Sequence, residues 1–152
     1  SEQGQALQAS FSKGGITLTI NLGDTKQVIT RVRERSYAIA VASWIPDYFD
    51  PHGNAASFAF NGDNSDQSSS KTIMWRASWF SPELNKLTER AKRESNQEVR
   101  QRLYHDLQRK LLNSPIINMF QFDRVLLIRN TVHEIDFISG SNKIFYANAQ
   151  KS

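Results

Sequence analysis

The chain has 152 residues, of which 39% are hydrophobic, 22% charged and 11% aromatic, the make-up of an ordinary globular domain and not of a disordered tract. Nineteen lysines and arginines against fifteen carboxylates give a formal charge of +4, and cysteine is absent, which removes disulfides, zinc-thiolate sites and a thiol nucleophile. No apolar run approaches the roughly 18 residues needed to cross a bilayer, and the start of the sequence lacks the basic, apolar and small-residue regions of a signal peptide.

In chain order, residues 5–13 carry Ala6, Leu7 and Phe11 at helical spacing and stop at Gly14-Gly15, which predicts a helix ended by a left-handed glycine. Residues 16–22 alternate apolar and polar side chains, the pattern of a half-buried strand. Asp24 is placed to cap a helix with Val28, Ile29 and Val32 inward and Lys26, Arg31, Arg33 and Arg35 outward. Residues 38–43 (AIAVAS) form a short apolar run, expected of a strand covered on both faces. Helix, strand, helix, strand in that order predicts a parallel pair in an α/β layer.

The stretch 44–60 begins as a loop rich in aromatics and turn formers and leads into a short helix from about Asn54. Residues 61–72 (NGDNSDQSSSKT) are polar and lack the ligand spacing of a calcium loop, so a mobile surface loop is expected. Ser81-Pro82-Glu83 is a helix start, with Leu84, Leu87 and Ala91 on its buried side. A further helix starts near Asn96 and repeats Val99, Leu103, Leu107 and Leu111 on one stripe, with Tyr104 and Leu112 alongside, before Pro115. Residues 116–122 and 125–128, around Asp123-Arg124, and residues 144–146 are expected as strands.

Ligands of open α/β sheets bind beyond the carboxyl ends of strands, which is where Trp44 and Asp47 would stand. An aspartate among Trp44, Tyr48 and Phe49 stays ionised only if donors or a cation meet it, and a ligand ammonium would serve, with Trp44 adding a cation-π face. The blander alternative makes Asp47 and Asp50 turn caps and the aromatics core. Trp75, Arg76 and Trp79 are a second candidate set, with Arg76 holding a ligand carboxylate by a two-pronged contact, against the alternative of two core tryptophans and a surface arginine. His52, His105 and His133 are scattered without metal-ligand spacing, and Asp47 and Asp50, three residues apart in one loop, are poorly placed as opposed glycosidase carboxylates. No nucleophile elbow or phosphate loop is present.

Three blocks carry a family resemblance. The run WIPDYFDP at 44–51, preceded by ALQASFSKGGITLTI, the block SPELNKLTERAKRESNQEVRQRLYHDLQRKLL and the block SPIINMFQFDRVLLIRNTV follow one another in order. Together they resemble the dipeptide and oligopeptide (family 5) class of ABC-transporter solute-binding proteins. The resemblance implies the second, C-terminal lobe of a two-lobed, type II-like binding-protein fold, a mixed α/β sheet with flanking helices. Residues 1–115 would belong mostly to that lobe and residues 116–152 would lead back toward a first lobe lying before this sequence. It implies a non-enzymatic receptor without cofactor or metal, periplasmic or extracytoplasmic and monomeric when full length. Such a receptor takes a peptide-like ligand, whose ammonium Asp47 would hold, with Trp44 and Tyr48 lining the pocket, and passes it to a membrane permease.

The competing expectation is a nucleic-acid or protein interaction module on the basic helices of residues 83–110. That stretch holds eight basic and five acidic side chains, intermixed, which favours a solvated face over a nucleic-acid footprint. Loss of binding on neutralising Arg100, Arg102 and Arg109, with a steep salt dependence, would mark the module.

Overall fold

The computed structural model describes residues 2–120, 125–137 and 144–152, and the chain divides into two compact units, Ser1–Ala40 and Val41–Ser152. The first contains α1 (Glu2–Lys13) and α2 (Thr25–Arg33). α1 ends where Gly15 takes φ +78°: the amide of Gly15 donates to the carbonyl of Ser12 and that of Ile16 to Phe11, closing two carbonyls that the helix leaves open. α2 begins in a capping box, with the Asp24 carboxylate accepting from the Gln27 amide and the Gln27 side chain accepting from the Asp24 amide.

The second unit is built on a helical hairpin, α5 (Pro82–Arg93) and α6 (Gln97–Leu111), with α3 (Pro51–Phe58) laid across both. Ser81 caps α5 and Asn96 caps α6, each side chain accepting from the third helical amide, so both helix starts are set by local sequence. The stripe predicted on α6 faces inward. Leu103, Tyr104 and Leu107 are buried against Ala91 of α5 and Ala55 and Ala59 of α3, with Leu87, Val99 and Leu111 packed at the edge. Alanine at the three crossing positions lets the backbones approach, and each buried leucine contributes about 1.5 to 3 kcal/mol. Leu112, expected beside the stripe, is exposed.

Between α3 and α5 the polar segment 61–72 is irregular and mostly exposed, as a surface loop should be, and it is bonded to its surroundings at several points. Asn61 is buried; its amide donates to Asn85 Oδ1 and its carbonyl accepts from Asn85 Nδ2, while its own Nδ2 reaches the carbonyl of Trp79 and Oδ1 of Asn64. Thr72 caps the short α4 (Ile73–Arg76), and its hydroxyl also donates to the Phe60 carbonyl. Trp75, buried, donates its indole N–H to the Ser65 carbonyl, and the Lys71 ammonium lies 4.7 Å from its ring centroid. Asn61 and Ser68 are the buried members of an otherwise largely exposed segment, and their side chains bond backbone carbonyls.

The remaining elements are four two-residue strands paired antiparallel: β1 (Val132–His133) with β4 (Gln150–Lys151), and β2 (Asp136–Phe137) with β3 (Ile144–Phe145). The predicted strand at 144–146 is therefore present as β3. The α/β lobe, with its mixed sheet and flanking helices, is not: the described residues form six helices and these short ladders. Residues 16–22 and 125–128 join no ladder, residues 38–43 contain a bend at Ala38-Ile39, and residues 116–120 are irregular. Ile16, Leu22, Ile39, Val41, Ile117 and Leu127 are exposed. Alternation and apolar runs supply a face for a sheet, but a ladder also needs a second edge in register, and these segments have none among the described residues. The predicted turn at Asp123-Arg124 lies outside the described residues.

α4 ends with Ser78 at φ +54°, its amide donating to Trp75 and that of Trp79 to Met74. A side chain in this conformation is strained, so Ser78→Gly should raise stability by about 0.5 to 1 kcal/mol in urea denaturation. A loss of stability would mean that the Ser78 hydroxyl contributes more than the strain costs. Leu107→Ala, at a position 2% exposed, should lower stability by about 2 to 5 kcal/mol in the same assay.

Candidate ligand-binding site

The loop 44–50 is fastened to α3 along its length. Trp44 donates its indole N–H to Asn54 Oδ1 at 3.0 Å and meets the Phe58 ring edge-on, with centroids 5.2 Å apart. Tyr48 lies over Gly53, where a Cβ would come within 3.2 Å of the phenol Cζ, so a larger residue there would push the ring outward by a few tenths of an ångström. Asp50 is the N-cap of α3 and Pro51 its first residue, which starts the helix three residues earlier than the sequence suggested. Asp-Pro is the same cap-and-proline signature that marked α5 at Ser81-Pro82.

Asp50 does more than turn the chain. Its Oδ1 accepts from the His52 amide at 2.7 Å and from Arg100 Nη2 at 2.7 Å, and its Oδ2 from the same nitrogen at 2.9 Å. Arg100 stands on α6 with its guanidinium carbon 5.0 Å from the centroid of the buried Tyr104 ring. Beside the pair is a groove of about 410 Å³ lined by Phe49, Gln97, Gln101, His105 and Gln108 as well as Asp50 and Arg100. Arg100 was expected on a solvated basic face; instead its side chain is four-fifths buried. Pairing across fifty residues leaves no local trace, although Asp50 announced itself as a cap.

Asp47, at the crest of the loop, is exposed and its carboxylate makes no hydrogen bond or ion pair among the described residues. Trp44, Tyr48 and Phe49 around it keep about half their surface in solvent, at 43%, 53% and 56% exposed. Trp44, Asp47 and Tyr48 stand on one loop, beyond a segment that joins no ladder among the described residues where a strand was expected. Arg76 ends α4, where it is half-buried with its Nε enclosed, and was expected at the surface if it bound nothing. Trp75 is buried, with its indole N–H given to Ser65 and its ring beside the Lys71 ammonium, whereas Trp79 is 38% exposed.

Four of the eight basic side chains in the stretch 83–110 are ion-paired. Arg93 pairs with Glu89 at 3.1 Å, Lys110 with Glu83 at 2.7 Å, Arg109 with Asp106 at 3.8 Å and Arg100 with Asp50. Among the described residues no group of three or more histidine and carboxylate side chains could hold a metal ion, and no helix is long and apolar enough to cross a membrane. Neither protein-family models nor curated proteins give a match to this chain.

Two groups at the start of α3 tie stability to pH. The hydrogen bond from Arg100 holds the Asp50 carboxyl below the usual carboxylate range, against burial, with the His52 amide assisting. Burial lowers the His52 imidazole, helped by Lys92 and Arg100 and opposed by Asp50 and Glu89. In both cases the unfolded chain takes up the proton more readily, so stability is complete at neutral pH and is lost on acidification. The His52 contribution should fall away below about pH 6.5 and that of Asp50 below about pH 4. Chemical denaturation across pH 3 to 8 should show both steps, with His52→Gln removing the upper one alone; an unchanged upper step would assign it to another group.

Proposed function

We propose that the chain belongs to the solute-binding component of an ABC importer and binds the free ammonium end of a peptide-like ligand through Asp47, with Trp44 and Tyr48 as aromatic walls. The observation that carries this is an unpartnered carboxylate at the crest of a loop whose flanking aromatics are anchored on one edge and open on the other. A carboxylate so placed has nothing to satisfy it but water or an incoming donor, and aromatic faces beside it favour a cation. The three ordered sequence blocks supply the transport class. The mixing of five carboxylates among the eight cations of the stretch 83–110, four of those cations being ion-paired, weighs against a nucleic-acid footprint.

Small-ligand sites enclose about 70 to 90% of the ligand, whereas Trp44, Asp47 and Tyr48 line an open surface. A solvated ion pair contributes only about 0 to 1 kcal/mol, so tight binding needs a second wall closing over the loop. Calorimetry of the 152-residue chain with trialanine should give a millimolar dissociation constant at best. N-acetylated trialanine, which lacks the ammonium, should bind detectably less, and Asp47→Ala should abolish that difference. Micromolar binding by this chain would show a site complete without a second wall, and equal binding of the acetylated peptide would sink the ammonium assignment.

A further inference from the structure

Loop 44–50 has anchors at both ends and in the middle, and they differ in kind. Trp44 at one end and Tyr48 in the middle are held by α3 itself, through Asn54, Phe58 and Gly53. Asp50 at the other end is held by α3 through the His52 amide and by α6 through Arg100. Arg100 is therefore the long-range tie from this end of the loop to the helical hairpin. It is itself fixed, because its guanidinium rests on the Tyr104 ring and its Nη2 lies 3.4 Å from the Tyr104 hydroxyl, and Tyr104 is 3% exposed. Asp47 is three residues from Asp50, within about 10 Å along an extended chain. Asp50 therefore lies close enough along the chain for a shift of its carboxylate to alter the setting of Asp47.

We infer that Arg100 is a positioning residue for the candidate site: by clamping Asp50 to α6 it fixes the conformation in which loop 44–50 presents Asp47 between Trp44 and Tyr48. This rests on the proposed function for the role of Asp47, but the clamp itself is independent of any ligand. Capping alone would not need it, since Asp50 caps α3 through His52 whether or not Arg100 is present. A carboxylate held on two oxygens by one nitrogen, while that nitrogen's carrier is stacked on a buried ring, has a defined position as well as a charge partner. The depressed titration of Asp50, caused first by Arg100, is a second signature of the same contact.

The test compares wild type, Arg100→Met and Arg100→Lys by amide and indole resonances across pH 3 to 8. Trp75, bonded to Ser65 within the loop 61–72, serves as the internal reference for an intact fold. In Arg100→Met the resonances of residues 45–49 and the Trp44 indole should shift while the Trp75 indole stays in place. The acid inflection followed by the loop should move upward toward the ordinary carboxylate range, and Arg100→Lys should restore part of both effects. A loop that keeps wild-type resonances and inflection in Arg100→Met would overturn the inference. If Arg100→Met fails to fold, the acid inflection of the loop in Arg100→Lys decides: an inflection at the wild-type pH overturns the inference and an upward one supports it. With trialanine as the probe, Arg100→Met should bind more weakly by up to about fivefold, equivalent to the roughly 1 kcal/mol that a solvated ion pair supplies at most. Failure of wild type to distinguish trialanine from its acetylated form would defeat the ammonium-binding function while leaving the clamp to stand or fall on the resonances.

Discussion

The packing of α6 into the angle between α5 and α3 is the constraint on which the helical part of the second unit depends, because it removes the continuous apolar stripe of α6 from water. Leu103 and Leu107 fit against Ala55, Ala59 and Ala91, positions where a larger side chain would hold the helices apart. Once α3 is seated there, its N-terminus faces the first half of α6. Asp50 and Arg100 then come within bonding distance as a consequence of helix placement, with no covalent or sequential link between them. The loop that precedes α3 inherits its position from the same packing.

The polar chemistry of this unit is organised around side chains that bond backbone. Asn85 matches both backbone groups of Asn61, Thr72 joins the end of α3 to the start of α4, and Trp75 takes the Ser65 carbonyl. Each of these lets a loop without regular secondary structure sit against the core with its polar atoms satisfied. Asp47 differs in being exposed: among the described residues its carboxylate makes no hydrogen bond or ion pair and is open to an external donor.

Much of the helical structure was legible in the sequence. Asp24, Ser81-Pro82 and Asn96 cap helices as their residue types require, Gly15 closes α1 in the left-handed conformation, and the four-residue repeat of Val99, Leu103, Leu107 and Leu111 faces the core. Asp50-Pro51 carried the same cap signature and was missed as a helix start because the aromatic run around it drew the boundary to Asn54. The loop residues Trp44, Asp47 and Tyr48 were legible as a group, being neighbours in sequence, whereas Arg100 was not, since its partner lies fifty positions away.

What the sequence determined by itself are the features decided within four or five residues: helix starts and stops, the inward stripe of α6, and the cluster of one carboxylate with aromatics at 44–49. Tertiary structure decided whatever needed a distant partner. The alternating run 16–22 and the apolar run 38–43 have strand character, but a strand exists only with a second edge in register, and no such edge meets them among the described residues. Asn61 reads as part of a solvated loop until Asn85 is brought to it, and Arg100 reads as a surface charge until α3 places Asp50 against it. The physical reason is the same throughout: a cap or a stripe is satisfied by its own neighbours, while ladders, buried polar pairs and ion pairs across helices depend on where the rest of the chain is packed.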